Sequence, residues 1–170
     1  AFADILKPTL GPRGLDKMLY KTDGTTAVTN DGAKIVAELM VRHPAAKAFV
    51  SLAESQENAC GDGVTRSLLV AGELLVEADR LIRMGLHPLT IVDGYLAALK
   101  VVEESIHDFS KSLDDVGNDA LLSVAKTALR GKSADQDIDN FAKIVSESTR
   151  QITRETPEGL RSEAEDVSMY

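Results

Sequence analysis

Tryptophan is missing from this sequence of 170 residues, and phenylalanine and tyrosine together make only 4% of it. So few and scattered rings leave no platform on which unpaired bases could stack. Cysteine is nearly as scarce. Cys60 stands alone, which excludes an internal disulfide framework and most zinc sites, and fits a reducing compartment. Histidine occurs three times, at positions 43, 87 and 107, too dispersed for a metal cluster. Positive charge is in deficit, with 19 Lys and Arg against 27 Asp and Glu and a formal net charge of −8. That balance repels a polyphosphate backbone and argues against nucleic acid as a partner. No apolar run approaches the roughly 20 residues that a membrane helix needs, and no basic flank precedes an apolar segment near residue 1. The expectation is a soluble, untargeted, cytoplasmic chain with no membrane partner.

What is present is the balance of a folded chain, 44% apolar and 27% charged. A chain of this length buries about 70% of the surface that its unfolded form exposes, enough to fold without a staple. The periodicity is mainly helical. Phe2, Ile5 and Leu6 share one stripe, and the chain starts inside that pattern. Met18 to Tyr20 and Thr26 to Thr29 are short β-prone runs around Asp23-Gly24, which predicts a hairpin and gives the only clear β signal. Helical stripes follow at Ile35, Val36, Leu39 and Met40; at Ala46, Phe49, Val50 and Ala53; at Leu68, Ala71, Leu75, Ala78 and Ile82; and at Ile91, Tyr95, Ala98, Val102, Ile106 and Phe109. Four such helices can share one bundle core. From Ser110 to Asp119 the chain turns polar and acidic, which predicts a domain boundary, giving domains at 1–119 and 120–170. Two more helices follow, striped by Leu121, Leu122, Ala125, Ala128 and Leu129 and by Ile138, Phe141, Ala142, Val145 and Ile152. From Pro157-Glu158-Gly159 onward the pattern predicts a linker or a frayed end.

Three glycine turns recur beside helices: Leu10-Gly11-Pro12-Arg13-Gly14, Asn30-Asp31-Gly32 and Gly61-Asp62-Gly63-Val64-Thr65. Such turns free backbone N–H groups, and a helix N-terminus favours phosphate. Taken singly, each Asp-Gly reads first as a simple helix cap, since capping is what Asp does most often there. A phosphate-binding loop that ends in lysine neutralises its ligand, whereas Asp31 and Asp62 repel phosphate unless a divalent cation lies between. Magnesium, held by one or two carboxylates plus phosphate oxygens, makes two Asp-Gly turns around one nucleotide coherent. Cys60 reads as a small packed residue, and Lys132, in its own glycine loop, reads as either a phosphate contact or a solvated lysine.

Residues 9–19 (Thr-Leu-Gly-Pro-Arg-Gly-Leu-Asp-Lys-Met-Leu), 29–33 (Thr-Asn-Asp-Gly-Ala), 43–47 (His-Pro-Ala-Ala-Lys), 61–65 (Gly-Asp-Gly-Val-Thr), 71–75 (Ala-Gly-Glu-Leu-Leu) and 87–88 (His-Pro) occur in order. Together they resemble a group II chaperonin subunit, of the archaeal thermosome and eukaryotic cytosolic type, closely up to about residue 109 and more loosely to about 154. The resemblance implies a mainly α fold. Its parts are the helical bundle of an equatorial ATP-binding domain with a small β-hairpin up to residue 119, then the first helical segment of an intermediate domain. It further implies that Leu10, Gly11 and Pro12 approach the phosphates of ATP and that Asp31 lies near the γ-phosphate as a catalytic group. Asp62 would bind Mg²⁺, and Gly32, Gly63, Val64 and Thr65 would line the phosphates. Lys132, in Gly131-Lys132-Ser133-Ala134, matches the family's nucleotide-sensing loop. The implied activity is ATP hydrolysis coupled to folding of unfolded polypeptides inside a double ring of chaperonin subunits.

Two departures stand out. The family turn usually continues Gly-Asp-Gly-Thr-Thr and a small residue, whereas Val64 drops a hydroxyl and Arg66 adds a charge. The family subunit is also much longer, so the expectation for this chain alone is a truncated subunit with little hydrolysis or folding activity. The alternative is a chaperonin-like assembly or interaction protein without an ATPase cycle.

Overall fold

The computed structural model describes residues 2–11, 13–20, 24–39, 43–111, 118–131, 136–157 and 159–163. Seven α-helices and two small antiparallel hairpins make up the described chain. It divides into two compact units, 1–105 and 106–170.

The first unit opens with α1 (Phe2–Leu6) and a 3₁₀ turn (Lys7–Thr9). β1 (Lys17–Tyr20) and β2 (Thr26–Thr29) then pair in the register Lys17↔Thr29 to Tyr20↔Thr26. Of the expected Asp-Gly turn between them, Asp23 lies outside the described residues, and Gly24 takes a positive φ of 84°. Next come α2 (Gly32–Glu38), α3 (Pro44–Cys60), α4 (Val64–Arg83) and α5 (Pro88–Phe109), the last running past residue 105. Both His-Pro pairs open helices, for a reason that the sequence left unstated. Nδ1 of His43 accepts the Ala45 N–H at 3.2 Å, and Nδ1 of His87 accepts the Leu89 N–H at 3.2 Å. Each histidine thus satisfies one of the orphan donors of a helix start.

The core of this unit is Leu6, Ile35, Val36, Ala53, Val64, Leu68 and Leu69, edged by Ala3, Leu19, Ala33, Leu39, Phe49 and Val50. Of the stripes expected on α2 and α3, Ile35, Val36 and Ala53 are buried and Leu39, Phe49 and Val50 pack against them, while Ala46 is half-buried and Met40 lies outside the described residues. The expectation of four helices sharing a core is corrected at two places. Along α4 the buried stripe stops at Leu69, and Leu75 and Ile82 are 56% and 45% exposed. On α5 only Ile91 is buried, while Tyr95 donates its hydroxyl to the Leu74 carbonyl at 2.7 Å and Val102, Ile106 and Phe109 stand open. The core is built instead by α1, α2, α3 and the first half of α4, because α1 and the 3₁₀ turn lie against α4. Gly72 permits this. A Cβ there would lie 2.6 Å from the Ala3 Cβ, well inside van der Waals contact.

The second unit joins α6 (Asn118–Leu129) to α7 (Ile138–Ile152). Their contact centres on small residues: Ala125, Ala142 and Ser146 are buried, whereas Phe141 and Val145, expected on the inner stripe, are each 44% exposed. Lys126 closes the pair with Asp139 at 2.6 Å. The linker or frayed end expected from Pro157 onward is corrected at its start, residues 164–170 lying outside the described ones. β3 (Arg154–Thr156) and β4 (Gly159–Arg161) pair as a second hairpin, Arg154↔Arg161 to Thr156↔Gly159. Among the described residues no helix is long and apolar enough to cross a membrane.

Candidate functional site

Two of the three glycine turns meet. Asp31 is the N-cap of α2, and its Oδ1 accepts the Ala33 N–H at 3.0 Å while its own N–H donates to Thr29 Oγ1 at 3.1 Å. The capping role expected for Asp31 is therefore real, and it leaves one carboxylate oxygen uncommitted to that cap. Gly32, the first residue of α2, is buried against the start of α4. A Cβ on Gly32 would collide with Thr65 Oγ1 and approach the Thr65 nitrogen and Cα at 3.1 and 3.3 Å. Only glycine lets these two helix starts come so close.

The second turn connects α3 to α4 through three residues. Gly61 closes α3 in the left-handed conformation at φ 64°, its N–H donating to the Glu57 carbonyl at 2.8 Å. Gly63 opens α4 at φ 84° with no side-chain cap, so the first N–H groups of α4 are left without side-chain acceptors. Asp62 between them is exposed. Its carbonyl accepts Gln56 Nε2 at 2.9 Å, and its carboxylate has no hydrogen-bond or ion-pair partner among the described residues. Thr65 is half-buried, Arg66 is exposed, and Val64 is 5% exposed in the core. The side chain at 64 thus faces inward, so valine there takes no hydroxyl away from the open side of the turn. Val64 can serve a ligand only through its backbone N–H.

The first turn follows the 3₁₀ segment that lies against α4. The Leu10 N–H donates to the Lys7 carbonyl at 3.3 Å, Gly11 takes φ 92°, and the Gly14 N–H returns to the Gly11 carbonyl at 2.9 Å. Buried Thr9 donates its hydroxyl to the Leu6 carbonyl at 2.7 Å, and Lys7 reaches Glu73 on α4 at 3.3 Å. Leu10 itself is 49% exposed. Pro12 and Lys132 lie outside the described residues. Cys60, expected as a packed residue, is instead an exposed free thiol at the end of α3.

Two contributors were not foreseen from sequence: Gln56, which reaches the Asp62 carbonyl, and Thr29, which fixes the Asp31 backbone. Gln56 lies six positions before Asp62, and nothing in a helical stripe distinguishes it from a solvated residue. Among the described residues no three His, Cys, Asp or Glu side chains converge as metal ligands. What the turns offer a cation is hard carboxylate oxygen from Asp31 and Asp62, a donor set that suits Mg²⁺ when phosphate and water supply the other ligands.

The model of the TCP-1/cpn60 chaperonin family matches residues 2–168. The chain belongs to that family. Within it the similarity is to the group II, thermosome-type proteins. The chaperonin chain is 35% identical over 167 residues to a thermosome subunit of Pyrococcus horikoshii, covering 98% of this chain and 30% of the relative. It is 41% identical over 150 residues to the thermosome subunit alpha of Methanothermobacter thermautotrophicus, covering 88% and 27%. With the thermosome subunit beta of Halobacterium salinarum the identity is 38% over 159 residues, covering 94% and 29%. The chaperonin chain therefore spans less than a third of the length of these relatives.

Proposed function

We propose that this chain forms part of an ATP-dependent group II chaperonin subunit and that it binds ATP with Mg²⁺ where α2 and α4 begin. The observation that carries this reading is the contact of Gly32 with Thr65, which joins one Asp-Gly turn to the other and sets two helix starts side by side. Residues 1–119 are read as equatorial domain and 120–170 as the first segment of the intermediate domain. Leu10, Gly11 and Pro12 would approach the phosphates from the first turn, and Lys132 would respond to the γ-phosphate. Bound Mg²⁺ would supply charge neutralisation of the phosphates. Asp62, exposed and uncommitted, is the residue suited to hold it. Gly32, Gly63, Val64 and Thr65 offer backbone N–H groups, and Asp31, held by its cap and by Thr29, is rigid enough to orient a water. In assembled rings in the cytoplasm, hydrolysis would drive folding of unfolded polypeptides enclosed by neighbouring subunits.

Calorimetric titration of the chain with ATP, with Mg²⁺ or with EDTA, tests the reading. Wild type should bind more tightly with Mg²⁺, and Asp62→Ala should lose that gain, at least about tenfold in affinity for loss of a charge-assisted contact. Asp31→Asn keeps an acceptor for the cap and should retain binding. No binding by wild type, or equal loss in both variants, would overturn the assignment. A second reading, an assembly or interaction protein without an ATPase cycle, is favoured by the open apolar stripe of α5. Self-association of the chain without nucleotide, together with silent ATP titrations, would support it.

A further inference from the structure

The geometry points to Gln56 as a positioning residue for the Asp62-Gly63 peptide, a role that rests on the nucleotide-binding reading above. Asp62 stands between two left-handed glycines, Gly61 at φ 64° and Gly63 at φ 84°. Glycine visits many backbone conformations at little cost, so the plane between Asp62 and Gly63, with glycine on its far side, turns easily unless something holds it. The near side of the turn is tied by the Gly61 N–H to the Glu57 carbonyl, and the far side by the Ser67 N–H to the Gly63 carbonyl at 2.9 Å. The plane between Asp62 and Gly63 is held by one described contact, Gln56 Nε2 on the Asp62 carbonyl at 2.9 Å. The same nitrogen lies 3.2 Å from where a Gly63 Cβ would stand, so the amide fills the space over Gly63.

The consequence follows from peptide geometry. There is no cis peptide bond among the described residues, and across a trans peptide the carbonyl and the following N–H point in opposite directions. Drawing the Asp62 carbonyl toward α3 turns the Gly63 N–H away from it. That N–H makes no hydrogen bond with any described residue. Gln56 thereby presents a free donor and, one residue before it, the uncommitted Asp62 carboxylate. The donor for a phosphate oxygen lies in the held plane, and the ligand for its cation hangs from the Cα at its edge. Gln56 touches neither metal nor nucleotide in this arrangement; it acts through the backbone.

The test uses Gln56→Met, which keeps the length and removes the donor, and Gln56→Glu, which keeps the shape and sets an acceptor against the carbonyl. Mn²⁺ uptake in the presence of ADP, followed by electron paramagnetic resonance of the free ion, is compared with metal-free ADP binding and with the melting temperature. Both variants should weaken Mn²⁺·ADP by about fivefold or more, the size of one ordinary hydrogen bond, and metal-free ADP by less, through the Gly63 N–H alone, while melting changes little. Wild-type uptake with unchanged uptake in both variants overturns the positioning role alone. A loss that vanishes when variants are compared at equal folded fraction also overturns it. No Mn²⁺·ADP uptake by wild type removes the nucleotide-binding reading and the role of Gln56 with it.

Discussion

Residues 1–105 and 106–170 both bury helix against helix, yet they bury different kinds of side chain. In the first unit the fully enclosed residues are large, with Leu6, Ile35, Val36 and Leu68 at 0–1% exposure, and glycine at 32 and 72 is what lets the elements approach. In the second the enclosed residues are Ala125, Ala142 and Ser146, the larger Phe141, Ile144 and Val145 remain 44% exposed, and an ion pair adds a polar clasp. Large apolar side chains removed from water stabilise strongly and fix positions, while small ones permit proximity and contribute little area. The candidate site stands on the region with the rigid interior. That is the support a constellation of turns needs if its donors are to be held to within a fraction of an ångström.

Truncating the two interiors should separate them most. Leu68→Ala removes a fully buried side chain and should cost about 3 kcal/mol in urea denaturation, whereas Val145→Ala, at a half-open position, should cost less than about 1 kcal/mol. Equal losses would erase the distinction between the two regions. Gly32→Ala should come next, at about 1–3 kcal/mol from forced separation of α2 and α4. Thr65→Ala in the same chain should recover only part of it, because the Thr65 nitrogen and Cα would still crowd the new methyl at 3.1 and 3.3 Å. Full recovery would show that the hydroxyl alone sets the spacing. The smallest effect is expected at the polar clasp. The hydrogen bond from Lys126, then its charge, hold the Asp139 carboxyl below the usual aspartate range. A carboxyl whose folded pKa is depressed supports the fold above its unfolded pKa and loses that support as pH falls through the folded value. Acidification below about pH 4 should therefore weaken the α6–α7 contact in wild type. Asp139→Asn should lack that component, as helical CD against pH would show; identical profiles would assign the clasp no role.

The parts legible in the sequence are those where local chemistry and tertiary contact agree. The stripes at Ile35 and Val36 and at Phe49, Val50 and Ala53 face the core because periodicity and packing coincide there, and Asp31 caps α2 as its type and place dictate. Periodicity shows that a face is apolar, not what covers it, and so the stripe of α5 reads like a core face while Val102 and Ile106 stand 50% and 63% exposed. The second hairpin was hidden for a different reason: Arg154-Glu155-Thr156 and Gly159-Leu160-Arg161 are strands of three, too short and too polar to alternate. At the site, the turns were visible as glycine patterns. The hold of Gln56 on Asp62 was not, since a hydrogen bond from a helix side chain to a backbone carbonyl six residues on leaves no periodic mark.

Gly72 carries a lesson about sequence drift. It lies in the middle of a 20-residue helix, where alanine is the better helix former by about 1 kcal/mol, so a lone α4 would gain from the exchange. In the folded chain the added methyl would push Ala3 away and lift α1 off its seat. The glycine of the Ala-Gly-Glu-Leu-Leu run is thus a vacancy kept open for a neighbour. A survey of tolerated substitutions that scored helices one at a time would rank position 72 among the safest to change, and the fold makes it one of the least.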